Sequence, residues 1–176
     1  MVYYNNVYDN TYGIHIDESS LNQIIGNCVH NNRVGIFLRD GSSLNVIKRN
    51  TIIFNRLGIN AMNAPYNLIK KNNIMWNFHN AYVFYYIWNF PGNGWVNNFW
   101  GHPCIFPKLI PSIIGFPHGI ILGFEIDWRP ALFPHIDFLN MKRAIIKNVE
   151  TSKNLSWLCY IPKNERDAEC HWNKKH

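Results

Sequence analysis

The chain is poor in charged residues, which make up 16% of its 176 residues, against 47% hydrophobic and 15% aromatic residues. Intrinsic disorder requires low hydrophobicity and high charge, so this composition excludes it. Long apolar runs are also missing, and the longest apolar stretch, from Pro107 to Gly123, is interrupted by prolines and glycines. A membrane-spanning helix needs roughly 18 or more consecutive apolar residues. The sequence therefore predicts one folded domain without a membrane span.

A strong charge imbalance is absent from most of the chain. The formal charge is 17 − 11 = +6, and residues 141–176 supply 8 − 4 = +4 of it. Positions 1–140 carry only 9 − 7 = +2, which does not indicate a nucleic-acid-binding face. The four cysteines contain no CxxC pair, so their spacing establishes neither a disulfide framework nor a standard metal site.

Asparagine is what the chain has in excess, at about a fifth of the first hundred residues. Asparagine is a poor former of helices and of ordinary strands, and it favours turns because its side chain bonds to nearby backbone. So many asparagines among isoleucines, valines and aromatic residues predict short strands separated by frequent corners.

An internal repeat runs through this region with a period of about 22 to 23 residues, a length typical of solenoid proteins. Gly-Ile pairs begin at positions 13, 35 and 58, and we align Ala81-Tyr82 with them as a degenerate fourth pair. Three asparagine columns and one isoleucine column keep the same register: Asn5, Asn27, Asn50 and Asn72; Asn10, Asn32, Asn55 and Asn77; Asn22, Asn45 and Asn67; Ile24, Ile47 and Ile69. Agreement of several columns in one register establishes a repeat protein.

The repeat predicts an all-β fold, a right-handed parallel β-helix of about four coils. Apolar residues alternate with period two within each unit, as in Ile14 and Ile16, which is typical of strands with one buried face. Stacked asparagines would form ladders at the corners, and we expect the glycine before each strand to supply a positive φ. The predicted domains are coils over 1–100, an irregular cap rich in proline and aromatic residues over 101–139, and a polar basic tail over 140–176.

We expect the prolines after residue 101 to exclude central strands, because proline cannot donate to a sheet ladder. We also expect aromatic side chains to cover the open end of the last coil. The candidates are Trp100, Phe106, Phe116, Phe124 and Trp128.

The chain resembles the parallel β-helix repeats of NosD-type proteins, which share the pectin-lyase-like fold. The resemblance is carried by the units over 27–36 and 50–59, by the corners over 19–22 and 42–45, and by the Trp-rich ending over 95–101. It implies an extracytoplasmic location, although no signal peptide precedes the first repeat, and we expect further coils upstream of Met1. It also implies either copper delivery to nitrous oxide reductase or a carbohydrate-binding or sugar-cleaving role.

Carboxylates are the first candidate site. Counting from each corner glycine places Glu18, Asp40 and Asn63 in one column, with Asp17 stacked on Arg39. Two carboxylates about 5 Å apart could act as acid and nucleophile on a glycoside, or contribute oxygen ligands to calcium. The alternative is that these residues end a strand and face water.

Soft metal ligands are the second candidate. Cys28 and His30 flank an inward-facing valine, so both should point out of the coil, and Met75 falls in the His30 column two coils later. Thiolate, imidazole and thioether suit copper, whereas the alternative is a set of unrelated surface side chains. In the tail, zinc could be gathered by Cys159, Cys170, His171 and His176, although their spacing matches no standard zinc site.

Aromatic side chains are the third candidate. We expect Tyr82 and Phe84 to continue the inward columns, leaving Tyr85 or Tyr86, with Trp76 and Trp88, on the surface. Such rings could bind sugars, with Asp17, Arg39 and Asn63 beside them, or could pack beneath the cap. The leading hypothesis is a non-catalytic extracytoplasmic module that presents this surface to a polysaccharide or a cell-surface glycan. The alternatives are a copper-handling accessory protein for maturation of a copper enzyme, and a polysaccharide hydrolase or lyase.

Overall fold

Residues 1–86 and 92–135 are described by a computed structural model, and they contain strands and turns but no α-helix. It follows that no helix long and apolar enough to cross a membrane occurs in these two ranges. Four coils of three strands each are followed by one further strand and a hairpin. The strand bounds are β1 Val2–Tyr3, β2 Asn6–Tyr8, β3 Tyr12–Asp17, β4 Gln23–Ile25, β5 Cys28–His30, β6 Val34–Arg39, β7 Val46–Lys48, β8 Thr51–Ile53, β9 Leu57–Met62, β10 Leu68–Lys70, β11 Asn73–Met75, β12 His79–Tyr86, β13 Gly94–Val96, β14 Lys108–Phe116 and β15 Gly119–Asp127.

Equivalent strands of successive coils pair in parallel, which confirms the predicted parallel β-helix. One side is formed by β1, β4, β7, β10 and β13, a second by β2, β5, β8 and β11, and a third by β3, β6, β9 and β12. On the third side Ile14 lies opposite Ile36, and Ile36 lies opposite Ile59. The first and third sides are joined by β15 and β14 into one eleven-stranded sheet.

The core is a stack of isoleucines, because every second residue of each strand faces the interior. Full burial of such a side chain contributes about 1.5–3 kcal/mol relative to exposure. The fully buried members are Ile24, Ile36, Ile47, Ile52, Ile59, Ile69 and Ile74.

Equivalent positions of the fourth coil lie one residue earlier in the sequence than the predicted alignment places them. Ile59 lies opposite Ala81, so the Gly-Ile column continues at Asn80-Ala81. The expectation that Tyr82 and Phe84 face inward is therefore wrong, since a shift of one residue moves every side chain to the other face of a strand. The inward residues of β12 are Ala81, Val83 and Tyr85.

The asparagine columns form continuous buried ladders. In Asn50, the backbone N–H and the side-chain Nδ2 both donate to Oδ1 of Asn72, at 2.9 and 3.0 Å. Nδ2 of Asn50 also donates to the carbonyl of Ile24 in the preceding coil at 2.9 Å. Oδ1 of Asn50 in turn accepts both donors of Asn27. One amide side chain thus satisfies polar groups of three coils, which a buried corner would otherwise leave unpaired.

The glycines of the Gly-Ile pairs serve close packing between coils. Gly35 lies inside β6 and is not among the residues with positive φ, so the expected role of these glycines at a left-handed corner is wrong. A Cβ at Gly35 would lie 2.6 Å from the carbonyl oxygen of Gly58 and 3.0 Å from Nδ2 of Asn55. The absence of a side chain therefore lets the asparagine ladder pass close to the strand.

The end of the solenoid is closed by a regular hairpin of two nine-residue strands, β14 and β15. β14 lies between β12 and β15 in the sheet although it contains Pro111, so the expectation that proline excludes a central strand here is wrong. Pairing with β12 begins at Ser112, opposite Val83, so Pro111 lies just outside the paired part of that edge.

The aromatic residues of the predicted cap differ in how exposed their side chains are. Trp100 is 2% exposed and packs against Trp95 with ring centroids 5.7 Å apart, so it closes the core as expected. Phe106, Phe124 and Trp128 are 74%, 60% and 69% exposed, and the expectation that they cover the open end is wrong. Backbone pairing of the hairpin supplies the closure that these rings were expected to give. Residues 136–139 of the predicted cap and the whole tail lie outside the described residues.

We expect Asn50→Ala to lower the free energy of unfolding by about 3 kcal/mol or more. The substitution removes the acceptor of the buried backbone N–H of Asn27 and the side-chain donor to the carbonyl of Ile24, at about 1–3 kcal/mol for each unsatisfied group. Equilibrium denaturation in urea measures the difference. Asn5→Ala is the matched control, because Asn5 is exposed at the start of the same ladder. This variant should lower the free energy of unfolding much less.

Candidate functional site

The predicted carboxylate column lies at one corner of the solenoid, where β3, β6 and β9 end. Glu18, Asp40 and Asn63 all have left-handed φ values of 43°, 37° and 50°. The backbone N–H of Glu18 donates to the carbonyl of Arg39 at 3.4 Å. Nδ2 of Asn63 donates to Oδ1 of Asp40 at 3.5 Å. The three residues therefore occupy equivalent positions of successive coils.

Arg39 occupies the centre of this corner. Its Nε lies 2.8 Å from Oδ2 of Asp40, and Nη1 lies 4.0 Å from Oδ2 of Asp17, the residue stacked on it in the preceding coil. These half-exposed contacts satisfy the carboxylates and contribute little to stability, as is usual for surface ion pairs. Arg39 thus neutralises Asp17 and Asp40, and catalysis or calcium binding by Glu18 and Asp40 stays a prediction.

The structure does not bring Cys28, His30 and Met75 together as a metal site. Cys28 and His30 are fully buried, and Ile53 separates His30 from Met75 in the column. Nε2 of His30 lies 3.1 Å from Oδ1 of Asn6. Among the described residues no group of three or more His, Cys, Asp or Glu side chains could hold a metal ion. The tail ligands suggested for zinc lie outside the described residues.

A long-range contact places a later segment of the chain against the β11 end of the second side of the solenoid. The backbone N–H of Ala131 donates to the carbonyl of Asn98 at 2.9 Å, and that of His135 donates to Oδ1 of Asn73 at 2.7 Å. Cys28 belongs to the apolar cluster that also contains Ala131. The later segment therefore covers the β11 end of the second side, while the ring of Tyr8 stacks on the ring of His30 with centroids 5.2 Å apart.

A different thiol–imidazole pair lies in the turn after Trp100. Sγ of Cys104 is 3.2 Å from Nδ1 of His102, and His102 is exposed while Cys104 is half-buried. Gly101, at φ 92°, begins this turn. Sequence reasoning missed the pair because it looked for columns and for CxxC spacing. The available signal was a histidine two residues before a cysteine, directly after the last coil.

Two of the aromatic residues predicted to bind sugar, Trp76 and Tyr86, lie apart in the structure. Trp76 stacks on Phe54 with centroids 5.4 Å apart at the end of β11. Tyr86 is 56% exposed at the end of β12, on a different sheet, and Phe84 packs edge-on against it at 5.3 Å. Trp88 lies outside the described residues. Trp76 and Tyr86 therefore do not define one surface.

Another group of rings lies on the outer face of β3 and β6. The rings of His15 and Phe37 stack with centroids 5.0 Å apart and an interplanar angle of 8°, and Tyr12 lies 5.2 Å from both. Beside this stack is a cleft of about 330 Å³. It is lined by Tyr12, Arg33, Val34, Phe37, Arg56, Leu57, Asn60 and His79.

The cleft combines an apolar wall with unpaired polar groups. Arg33 and Arg56 precede the paired residues Val34 and Leu57, so they are neighbours in adjacent coils. Neither arginine forms an ion pair with a described residue, since both ion pairs found in residues 1–86 and 92–135 involve Arg39. Oδ1 of Asn60 is shielded from solvent and has no hydrogen-bond partner there. The cleft therefore offers two cations and an amide beside stacked rings.

Comparison with protein-family models gives a match over residues 1–103 to a family described as periplasmic copper-binding protein (NosD). The chain belongs to the NosD family. The match spans the four coils and β13 and ends at the turn that holds His102. No curated protein and no solved structure matches this NosD-family chain.

We expect thiol alkylation of the native protein to label Cys104 well before Cys28. The thiol of Cys104 reaches the surface beside an imidazole, whereas Cys28 is fully buried in an apolar cluster. Mass spectrometry of peptides after timed exposure to iodoacetamide measures each cysteine separately. Equal labelling rates for the two thiols would show that this description of their exposure is incorrect.

Proposed function

We propose that this NosD-family chain is an extracytoplasmic β-helix protein that binds copper through His102 and Cys104. The observation that carries the proposal is the exposed contact between Cys104 Sγ and His102 Nδ1 at 3.2 Å. The family description supports it by naming a periplasmic copper-binding protein. Such a protein would hold copper for delivery to a copper enzyme, with the metal as cargo.

The donor set fits cuprous copper. Thiolate is a soft ligand and selects Cu(I), while imidazole also suits copper. Two donors are enough for Cu(I), which accepts low coordination numbers, whereas structural zinc sites use four ligands. Exposure of His102 leaves the site open to a donor or an acceptor protein. Loading displaces the thiol proton, so we expect copper affinity to rise with pH.

The expected result for Cys104→Ser and His102→Ala is a loss of Cu(I) affinity of at least about 100-fold each. Changes in groups that merely support a metal ligand reduce affinity by about 10–100-fold, and loss of a ligand should exceed this. Competition with a chromophoric Cu(I) chelator under anaerobic conditions measures the affinity. Cys28→Ala is the control, since its thiol is buried away from the turn. If Cys104→Ser bound Cu(I) with wild-type affinity, the assignment of the copper site to this turn would be wrong.

Carbohydrate binding is a second candidate function, and the cleft beside Tyr12 and Phe37 supports it. Stacked rings offer apolar faces to a pyranose ring, and the half-buried Asn60 lines the cleft beside them. Arg33 and Arg56 would favour a sugar that carries a carboxylate, because guanidinium groups recognise carboxylates through paired hydrogen bonds. The cleft volume of about 330 Å³ is at the lower end for ligand sites.

We expect Tyr12→Ala to weaken binding of an oligogalacturonate by about tenfold, the loss of roughly one aromatic stacking contact. Tyr86→Ala should leave binding unchanged, because Tyr86 is also exposed but lies outside the cleft. Isothermal titration calorimetry on the purified chain measures both. Weaker binding by Tyr86→Ala and unchanged binding by Tyr12→Ala would instead place the sugar site at the end of β12. Absence of binding by the wild-type chain and by both variants would refute this second function.

A further inference from the structure

Four basic side chains are concentrated on the outer face of the first side of the solenoid. Lys48 on β7 lies directly opposite Lys70 on β10. Arg49 and Lys71 follow them at the next corner, each with φ 55°, and the backbone N–H of Arg49 donates to the carbonyl of Lys70. We call these four residues the basic patch. They are four of the nine basic residues at positions 1–140.

No described acidic side chain forms an ion pair with the basic patch, because both ion pairs of residues 1–86 and 92–135 involve Arg39. The charge of Arg49, followed by burial and the charges of Lys70 and Lys71, lowers the pKa of Lys48. Like charges directly opposite each other on paired strands are destabilising. An anionic partner would relieve this repulsion, so the patch has the electrostatic character of a binding surface.

An exposed apolar ridge runs along the other edge of the same face. Leu21, Leu44 and Tyr66 are 75%, 56% and 52% exposed, and they occupy equivalent corners with φ values of 61°, 56° and 63°. Each precedes an asparagine of one buried ladder, which fixes its side chain on the outside. Val46 and Leu68 lie between this apolar ridge and the basic patch.

We propose that this face docks on an anionic lipid surface, with the basic patch at the phosphate groups and the apolar ridge at the acyl boundary. A soluble polyanion would neutralise the patch but leave the ridge in water. A lipid interface accommodates both, because interfacial binding combines buried apolar area with attraction to anionic lipids. The three-residue strands between ridge and patch span about 10 Å, so both can contact one flat surface.

Co-sedimentation of the full chain with vesicles tests the proposal. We expect binding to vesicles of phosphatidylcholine with phosphatidylglycerol and little binding to phosphatidylcholine alone. Lys70→Gln with Lys71→Gln should weaken binding about 30-fold, since each cation near an anionic surface contributes about 1 kcal/mol. Lys108→Gln with Arg129→Gln removes the same charge from the cap and should leave binding nearly unchanged. Equal losses in the two double variants would overturn the proposal.

A variant of the apolar ridge provides the second test of the proposal. Leu21→Asn with Leu44→Asn keeps residues that accept a left-handed φ, so the fold should be retained, as circular dichroism checks. We expect this variant to bind the anionic vesicles more weakly but to elute from a dextran-sulfate column at the wild-type salt concentration. Wild-type vesicle binding by this variant would overturn the lipid proposal and assign the patch to a soluble polyanion. None of the substituted residues belongs to the turn that holds His102 and Cys104 or to the cleft beside Tyr12. The outcome is therefore independent of both proposed functions.

Discussion

The hydrogen bonding of buried asparagine side chains along the solenoid axis is the constraint on which the rest of the structure depends. Each amide Oδ1 accepts two donors from one neighbouring coil, while Nδ2 reaches a carbonyl group of that same neighbour. A slip of one residue would break all of these bonds together and would turn the isoleucine stack outward. The ladders therefore fix the corners, and the corners fix which residues lie over one another.

Variation in coil length is confined to a segment between two ladders. The segment from Asn32 to Asn45 is longer by a single residue than the equivalent segment from Asn10 to Asn22. The extra residue is Gly41, which has φ 74° and no atom within 4 Å of an added Cβ. The corner that holds Glu18 and Asp40 thus tolerates insertion because neither ladder passes through it. This freedom makes the corner, and the outward positions of the strands, the part of the molecule where surface chemistry can change without disturbing the core.

Two of the three asparagine ladders end on carboxylates, at Asn98 with Asp127 and at Asn93 with Glu125. Asp127 is fully buried, and its two oxygens accept from the backbone and side chain of Asn98, from the backbone of Asn97 and from Nε1 of Trp100. Glu125 accepts from Tyr85 and Trp95, and burial together with this carboxylate raises the pKa of Tyr85. An ionised carboxylate accepts without needing a partner for a donor of its own. Both acids lie on β15, so the hairpin closes these two ladders and the sheet together.

The sequence by itself determined the coil period, the asparagine ladders and the isoleucine core, because each is a property of residues that recur at a fixed spacing. It did not determine which residues of β12 face inward or that Cys28 and His30 are buried. The hairpin around Pro111 and the contact between His102 and Cys104 were not determined by it either. Cover of the second side at β11 depends on contacts such as that between Asn73 and His135, which are 62 residues apart and follow no period. Contacts within a repeat can be read from spacing, whereas contacts between the repeat and its single cap exist only once the chain has folded back on itself.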